Sequence, residues 1–155
     1  MHEKSFTGRE MSVFRFSLQQ VLEYRIQIEE QAKVRFARAQ ADHLEAECRL
    51  RDLQAQLAEQ EQRVYESSLD VLERWLIEHY IRGLRDDIAR TFRLLHDLAK
   101  AVERARMELV EKAKDRKALD KLREKQAARH AHEEKLEERR IYDETASLRH
   151  KAAAF

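Results

Sequence analysis

The chain has 155 residues, 39% of them charged, and its 31 Lys and Arg against 30 Asp and Glu leave a formal net charge of +1. This balance argues against a nucleic-acid binder, because such proteins usually carry a lopsided basic surface. No apolar run approaches the ~20 residues of a membrane span, and the N-terminus does not resemble a signal peptide. The single cysteine, Cys48, excludes an internal disulfide, and together these features favour a cytoplasmic location.

Residues that break helices are almost absent from the chain. There is no proline, and the only glycines are Gly8 and Gly83. Globular folds need such residues at their frequent turns, so their absence predicts long uninterrupted helices. Residues 1–11 carry no pattern, and we interpret them as an extension or a disordered segment before the fold.

The first predicted helix, residues 12–66, carries a seven-residue repeat. Alternating steps of four and three from Leu18 reach Val64 through fourteen positions, of which ten are apolar. Such a heptad seam indicates long helices that wind around each other. The predicted seam runs through Leu18, Leu22, Arg25, Glu29, Ala32, Phe36, Ala39, His43, Ala46, Leu50, Leu53, Leu57, Gln60 and Val64.

A turn is predicted at residues 67–70, where helix-forming residues give way to two adjacent serines. Ser67 and Asp70 are residue types that cap the start of a helix. The second helix is therefore predicted over residues 71–150, with a tail at residues 151–155.

Gly83 is expected inside this second helix, because apolar residues continue past it at helical spacing. A glycine there should lower the stability of the helix by about 1 kcal/mol relative to alanine. From Leu76 to Ile88 the apolar residues recur every four positions, which predicts an irregular coil near the hairpin end. Regular heptads are predicted to follow through Ile88, Phe92, Leu95, Ala99, Val102, Arg106, Leu109 and Ala113.

Together the two helices predict an all-α fold, a long antiparallel two-helix coiled coil or α-helical hairpin. The second helix is longer, and its charged residues 114–140 are expected to project. A turn centred on residue 67 would place Ala32, Ala39 and Ala46 opposite large apolar residues, namely Val102, Leu95 and Ile88. The predicted core comprises Leu22, Ala32, Phe36, Ala39, Ala46, Leu50, Leu53, Leu57, Val64, Ile88, Phe92, Leu95, Ala99, Val102 and Leu109.

No constellation of residues predicts catalysis, a metal site or a cofactor. His130 and Glu134 are suited to share a helix face, but a zinc site needs three or four converging ligands, so a solvated polar face is the favoured interpretation. His43 lies on the seam and is interpreted as a polar core residue that helps to fix register. Cys48 has no neighbouring histidine and is expected to be a small buried hydrophobe.

Aromatic residues leave two interpretations open. Trp75 and Tyr80 near the predicted turn either fill the core or form a docking patch, a role in which Trp and Tyr dominate interface energetics. Phe14 and Phe16 either staple the start of the first helix or dock on a partner.

Two clusters of residues mark the ends of the chain. The first cluster comprises Phe14, Phe16, Leu18, Val21, Leu22, Arg25, Glu29, Glu30 and Ala32. The second comprises Glu138, Arg139, Arg140, Tyr142, Asp143, Glu144, Ala146 and Arg149. Neither cluster is a catalytic motif, but with the two predicted helices between them the chain resembles the flagellar export protein FliJ family over roughly residues 12–150.

This resemblance implies a coiled coil similar to the central gamma stalk of rotary ATPases. It implies a non-enzymatic component of the flagellar type III export apparatus, peripheral at the cytoplasmic face of the inner membrane. The implied partners are the hexameric export ATPase, whose assembly and activity it promotes, the cytoplasmic part of the export gate membrane protein, and export chaperones. No cofactor, nucleic acid or membrane span is implied.

The resemblance also implies two contact surfaces. The gate-binding surface would lie near the hairpin end and include Tyr80, Leu84, Arg49, Leu53, Gln56 and Gln60. The sequence departs from the family pattern at Gln56 and Gln60, where relatives can carry aromatic residues. The ATPase-binding surface would lie at the opposite end and include Leu18, Leu22 and Arg25, with the late part of helix two.

Two other functions compete with this hypothesis. The chain has the shape expected of the equivalent stalk component of a virulence type III secretion system. It would also suit a passive structural spacer, which predicts self-association and no effect on an ATPase. An enzyme or nucleic-acid binder is disfavoured because neither a converging catalytic set nor a basic excess is present.

Overall fold

The computed structural model of the chain describes residues 13–65 and 70–153, with side chains up to residue 150. Two helices account for nearly all of these residues: α1, Gln19–Val64, and the longer α2, Val71–Ala153. The helices pack against each other and the described residues contain no strand, which confirms the all-α hairpin with a longer second helix. The predicted extension at residues 1–11 and the predicted turn residues other than Asp70 lie outside the described residues.

The contacts divide the chain into two units. The terminal unit contains the described residues up to Ile26 and those from Lys114 onward. The hairpin unit contains the described residues of Gln27–Ala113. Each unit combines a segment of α1 with a segment of α2, and each is described separately below.

A reciprocal capping box starts α2 in the hairpin unit. The Glu73 amide donates to Asp70 Oδ1 across 2.9 Å, and the Asp70 amide donates to Glu73 Oε2 across 3.1 Å. Both bonds satisfy amides that a helix N-terminus leaves without an intrahelical partner. The prediction that Asp70 caps the second helix is therefore confirmed, as is the position of Gly83 inside that helix.

The α1 segment of the hairpin unit follows the heptad seam read from the sequence. Ala32 and Ala46 are buried, and the other predicted apolar positions are half-buried. The half-buried positions are Phe36, Ala39, Leu50, Leu53, Leu57 and Val64. One buried seam residue, Glu29, is a carboxylate, and its Oε1 lies 3.7 Å from Lys33 Nζ.

The α2 segment of the hairpin unit corrects the predicted seam. Phe92 is 52% exposed and Ala99 is exposed, whereas Thr91 is buried and Leu98 is half-buried. From Ile88 the seam takes a step of three before a step of four, the reverse of the predicted order. The observed seam is Ile77, Ile81, Leu84, Ile88, Thr91, Leu95, Leu98, Val102, Ala105 and Leu109.

The prediction of an irregular coil near the hairpin end is also wrong, because the buried residues at that end keep the heptad spacing. Ile77, Ile81 and Leu84 are buried and continue the heptad steps. Leu76 and Tyr80, which suggested a four-residue period, are both exposed. The seam therefore stays regular to the first turns of α2.

Cross-helix contacts in the hairpin unit also correct the predicted register. Arg35 Nη2 lies 2.7 Å from Glu108 Oε1, whereas the predicted register placed Arg35 beside Ala99. The helices are thus displaced by about one heptad from the prediction, a shift that leaves the same seam positions in contact. Pairing is therefore not centred on residue 67.

In the terminal unit, Phe16 and Leu22 are buried and Leu18 is exposed. The Phe14 ring lies 5.7 Å from the His130 ring, so residues 13–18 cover α2 as far as His130. This contact corrects the expectation that all of residues 114–140 project. Every described side chain from 135 to 150 is exposed, as expected for a projecting charged end. Neither described helix combines the length and apolar character needed to cross a bilayer.

Candidate functional site

The hairpin unit brings two of the predicted gate-binding residues into contact. Tyr80, near the start of α2, donates its hydroxyl to Gln56 Oε1 on α1 across 3.3 Å. Both side chains are exposed, and 49% of Tyr80 is accessible. The hydrogen bond to Gln56 holds the Tyr80 ring between the two helices, where the ring presents a flat apolar surface.

The other predicted members of that surface differ in exposure. Arg49 is exposed, and Leu53 and Gln60 are half-buried, with Gln60 Oε1 accepting from Arg63 Nη1 at 3.3 Å. Leu84 is only 3% exposed and belongs to the seam, so it is not available to a partner in this conformation. The accessible part of the predicted surface therefore centres on Tyr80 and Gln56.

Trp75, for which the sequence leaves two interpretations open, and three exposed apolar neighbours extend this surface toward the start of α2. Trp75 is 54% exposed, and its ring stacks on His79 at 5.5 Å with an interplanar angle of 8°. Val71, Leu72 and Leu76 are exposed beside it. The exposure of Trp75 favours the docking interpretation over core filling, because an accessible aromatic cluster retains its apolar area for a partner.

An open groove separates the end of α1 from the facing turns of α2 in the hairpin unit. Its lining includes Glu61, Tyr65, Arg82 and Arg85. Arg85 Nη2 donates to Glu61 Oε1 across 2.8 Å. The sequence pattern did not reveal this groove, because it depends on the register of the two helices.

The terminal unit holds the predicted ATPase-binding residues in three different environments. Leu22 is buried in the seam, Leu18 is exposed, and Arg25 is half-buried. Arg25 Nη1 donates to Asp115 Oδ2 across 3.0 Å. Arg25 therefore forms an ion pair between the α1 and α2 segments of this unit. Leu18 remains accessible to a partner.

Phe14 and Phe16 pack at the start of α1 in the terminal unit. Phe16 is buried, and Phe14 is half-buried with its ring tilted by 60° against His130. His130 Nδ1 also lies 3.6 Å from Glu134 Oε2. These contacts favour the stapling interpretation for both phenylalanines.

The polar residues considered for chemistry do not converge. Among the described residues, no group of three or more His, Cys, Asp or Glu side chains is arranged to hold a metal ion. His43 is half-buried on the seam, with Nδ1 3.6 Å from Glu47 Oε1. Cys48 is exposed, which corrects the expectation of a buried hydrophobe: it lies between the inward positions Ala46 and Leu50, on the face that points away from the seam.

Comparison with protein families gives one match of nearly full length. The flagellar FliJ protein family matches residues 14–154. Comparisons with curated proteins and with solved structures give no match. The match includes both terminal clusters and the whole of both helices. The chain therefore belongs to the FliJ family and is a component of the flagellar type III export apparatus.

Proposed function

We propose that this protein is a stalk-like adaptor that binds the hexameric export ATPase, promotes its ring assembly and activity, and links it to the export gate and to export chaperones. It would act at the cytoplasmic face of the inner membrane. Membership of a family of non-enzymatic export components supports an adaptor rather than an enzyme. The flagellar family favours this proposal over a virulence-type stalk.

The observation that carries the proposal is the exposed helical end of the terminal unit. All described side chains of residues 135–150 are exposed, and half of them are charged. An exposed helical segment that mixes charged residues with the accessible Ile141, Tyr142 and Leu148 has no core of its own, so it is suited to contact other proteins. A partner that binds only the assembled ring would stabilise that ring by mass action.

The hairpin unit supplies the second contact that a linking adaptor needs. Trp75 and Tyr80 expose aromatic area beside Leu72 and Leu76 on the first turns of α2. Exposed aromatic clusters of this kind favour protein–protein contact. We assign the export gate to this surface and the ATPase to the terminal unit.

Charge-reversal variants test the assignment of the ATPase to the terminal unit. Arg139→Glu with Arg140→Glu changes two exposed residues of the projecting end, and Arg25→Glu removes the tie to Asp115. Both variants are expected to weaken stimulation of ATP hydrolysis. Arg35→Glu is the matched control, because it breaks a similar cross-helix pair in the hairpin unit. Equal stimulation by all three variants would refute the assignment.

The same assay of ATP hydrolysis distinguishes the adaptor from a passive spacer. Such a protein would leave ATP hydrolysis unchanged at every concentration. Self-association alone does not separate the two functions, because an adaptor is also able to dimerise.

A further inference from the structure

A second heptad repeat lies on the exposed face of α1 in the hairpin unit. We call it the outer seam, and its eight positions follow each other in steps of three and four. They are Val34, Ala37, Ala41, Leu44, Cys48, Arg51, Ala55 and Ala58. All eight are exposed, Val34 at 68% and Leu44 at 56%, and all but Arg51 are small or apolar.

The spacing of the outer seam is that of a helix-contacting face. A single exposed leucine is ordinary on a protein surface, but an apolar repeat sustained over more than three heptads is typical of a coiled-coil contact. At about 1.5 Å per residue the outer seam is about 36 Å long. The inner seam of α1 already faces α2, and within residues 13–65 and 70–153 the outer seam is exposed along its length. Leu44 also borders an open groove that Ala99 and Val102 of α2 line.

The charges that flank the outer seam are segregated along α1. Lys33 and Arg38 lie in its first part, and Asp52, Glu59 and Glu61 lie in its second part. In the described portion of the chain, the side chains of Arg38, Asp52 and Glu59 form no ion pair. The segment therefore carries unpaired charges of opposite sign at its two ends.

This segregation selects one orientation for a second copy of α1. Parallel pairing in register would place Lys33 near Arg38 and Glu47 near Asp52, and like charges in those flanking positions repel. Antiparallel pairing places Arg38 opposite Asp52. A two-fold axis forms this pair twice, as expected of a self-complementary interface.

We propose that the outer seam of α1 binds a second copy of this chain in antiparallel orientation. The two-fold axis lies at the level of Ala46, and Leu44 packs against Cys48 of the second copy. Val34 then faces Ala58, Ala37 faces Ala55, and the long Arg51 side chain crosses the small Ala41. The alanines allow the two helices to approach closely.

The same geometry makes the dimer weak. Glu45 lies beside its own counterpart at the axis, where two carboxylates repel each other. Small side chains also bury little apolar area per layer. Replacement of Glu45 by a neutral isostere should therefore strengthen association. The proposal concerns the isolated chain and does not depend on binding to the export apparatus.

Disulfide trapping tests the orientation. Leu44→Cys places a thiol opposite Cys48 of the second copy, so mild oxidation by copper–phenanthroline should give a dimer linked between positions 44 and 48. Unmodified chain should not crosslink readily, because antiparallel pairing staggers the two native thiols along the axis, away from the geometry of a disulfide. Rapid crosslinking of the native Cys48 with itself would indicate parallel pairing and overturn the proposal.

Sedimentation equilibrium of the full chain tests the charge pairs. Arg38→Asp replaces two symmetric attractions with repulsions and should raise the dimer Kd about tenfold. Arg38→Asp combined with Asp52→Arg should restore the Kd, and Glu45→Gln should lower it. Circular dichroism should show equal helicity for all variants, because the altered side chains are exposed. A chain that stays monomeric even with Glu45→Gln would overturn the proposal and leave the outer seam to the helix of another protein.

Discussion

Arg35 on α1 donates to Glu108 on α2 across 2.7 Å, and this ion pair marks the register of the hairpin unit. Both side chains are partly exposed, so the pair should contribute only about 0.5 kcal/mol to the free energy of unfolding. A double-mutant cycle with Arg35→Ala and Glu108→Ala, measured by urea unfolding, should give a coupling energy of that order. No coupling between these residues would indicate the register that centres on residue 67.

Tyr80 and Leu84 lie one helical turn apart on α2 but should behave differently when truncated. Leu84→Ala removes a buried side chain and should lower the free energy of unfolding by about 2–3 kcal/mol. Tyr80→Ala removes a half-exposed ring and one hydrogen bond, so it should cost about 1 kcal/mol. In a pull-down with the cytoplasmic part of the export gate, Tyr80→Ala should weaken binding while the chain stays folded. Unimpaired binding would remove Tyr80 from the gate surface.

Gly83 is a position at which the protein should gain stability. It lies inside α2, and a Cβ atom added there meets no heavy atom within 4 Å. Gly83→Ala should therefore raise the free energy of unfolding by about 1 kcal/mol, because alanine restricts the unfolded chain and favours the helix. Thermal unfolding measures the gain. Ala89→Gly, at an exposed position of the same helix, is the matched control and should lose a similar amount.

Glu103 and Arg106 form a two-pronged contact on α2, with Arg106 Nε and Nη2 3.0 Å and 2.9 Å from the two carboxylate oxygens. The hydrogen bond from Arg106 lowers the pKa of Glu103 below its ordinary value. A lowered pKa in the folded state gives a contribution to stability that is present above the unfolded-state pKa and is lost as the pH falls through the folded-state pKa.

Arg106→Gln should therefore return the pKa of Glu103 toward its ordinary value. Carboxyl chemical shifts followed by NMR across the acid range measure this change. Arg104→Gln, an exposed arginine one residue from Glu103 in sequence, is the control and should leave the pKa in place. An identical titration of Glu103 in the unmodified chain and in Arg106→Gln would contradict the assigned cause.

The sequence predicted the seam of α1 better than that of α2, for a physical reason. Along α2, both a step of three and a step of four from Ile88 lead back to Leu95, through Thr91 or through Phe92. Hydrophobicity favours Phe92, yet Thr91 is the buried residue. Its hydroxyl donates to the Asp87 carbonyl across 2.8 Å, which satisfies the polar group inside the seam.

Register was not predictable from the apolar pattern. A shift by one heptad brings equivalent seam positions into contact, so hydrophobic spacing alone does not distinguish the alternatives. Specific pairs such as Arg25 with Asp115 and Arg35 with Glu108 do distinguish them. Trp75 is exposed because it lies two residues before the buried Ile77, on the face of α2 that points away from the seam.

The central claim, a stalk-like adaptor for the export ATPase, is tested most directly by titration of this protein into the flagellar export ATPase. ATP hydrolysis and ring assembly should be followed together, the latter by analytical ultracentrifugation. The adaptor account predicts that hydrolysis rises as the population shifts to hexamers. Hydrolysis and assembly that both stay unchanged over a wide range of concentrations, with the chain still helical, would contradict it.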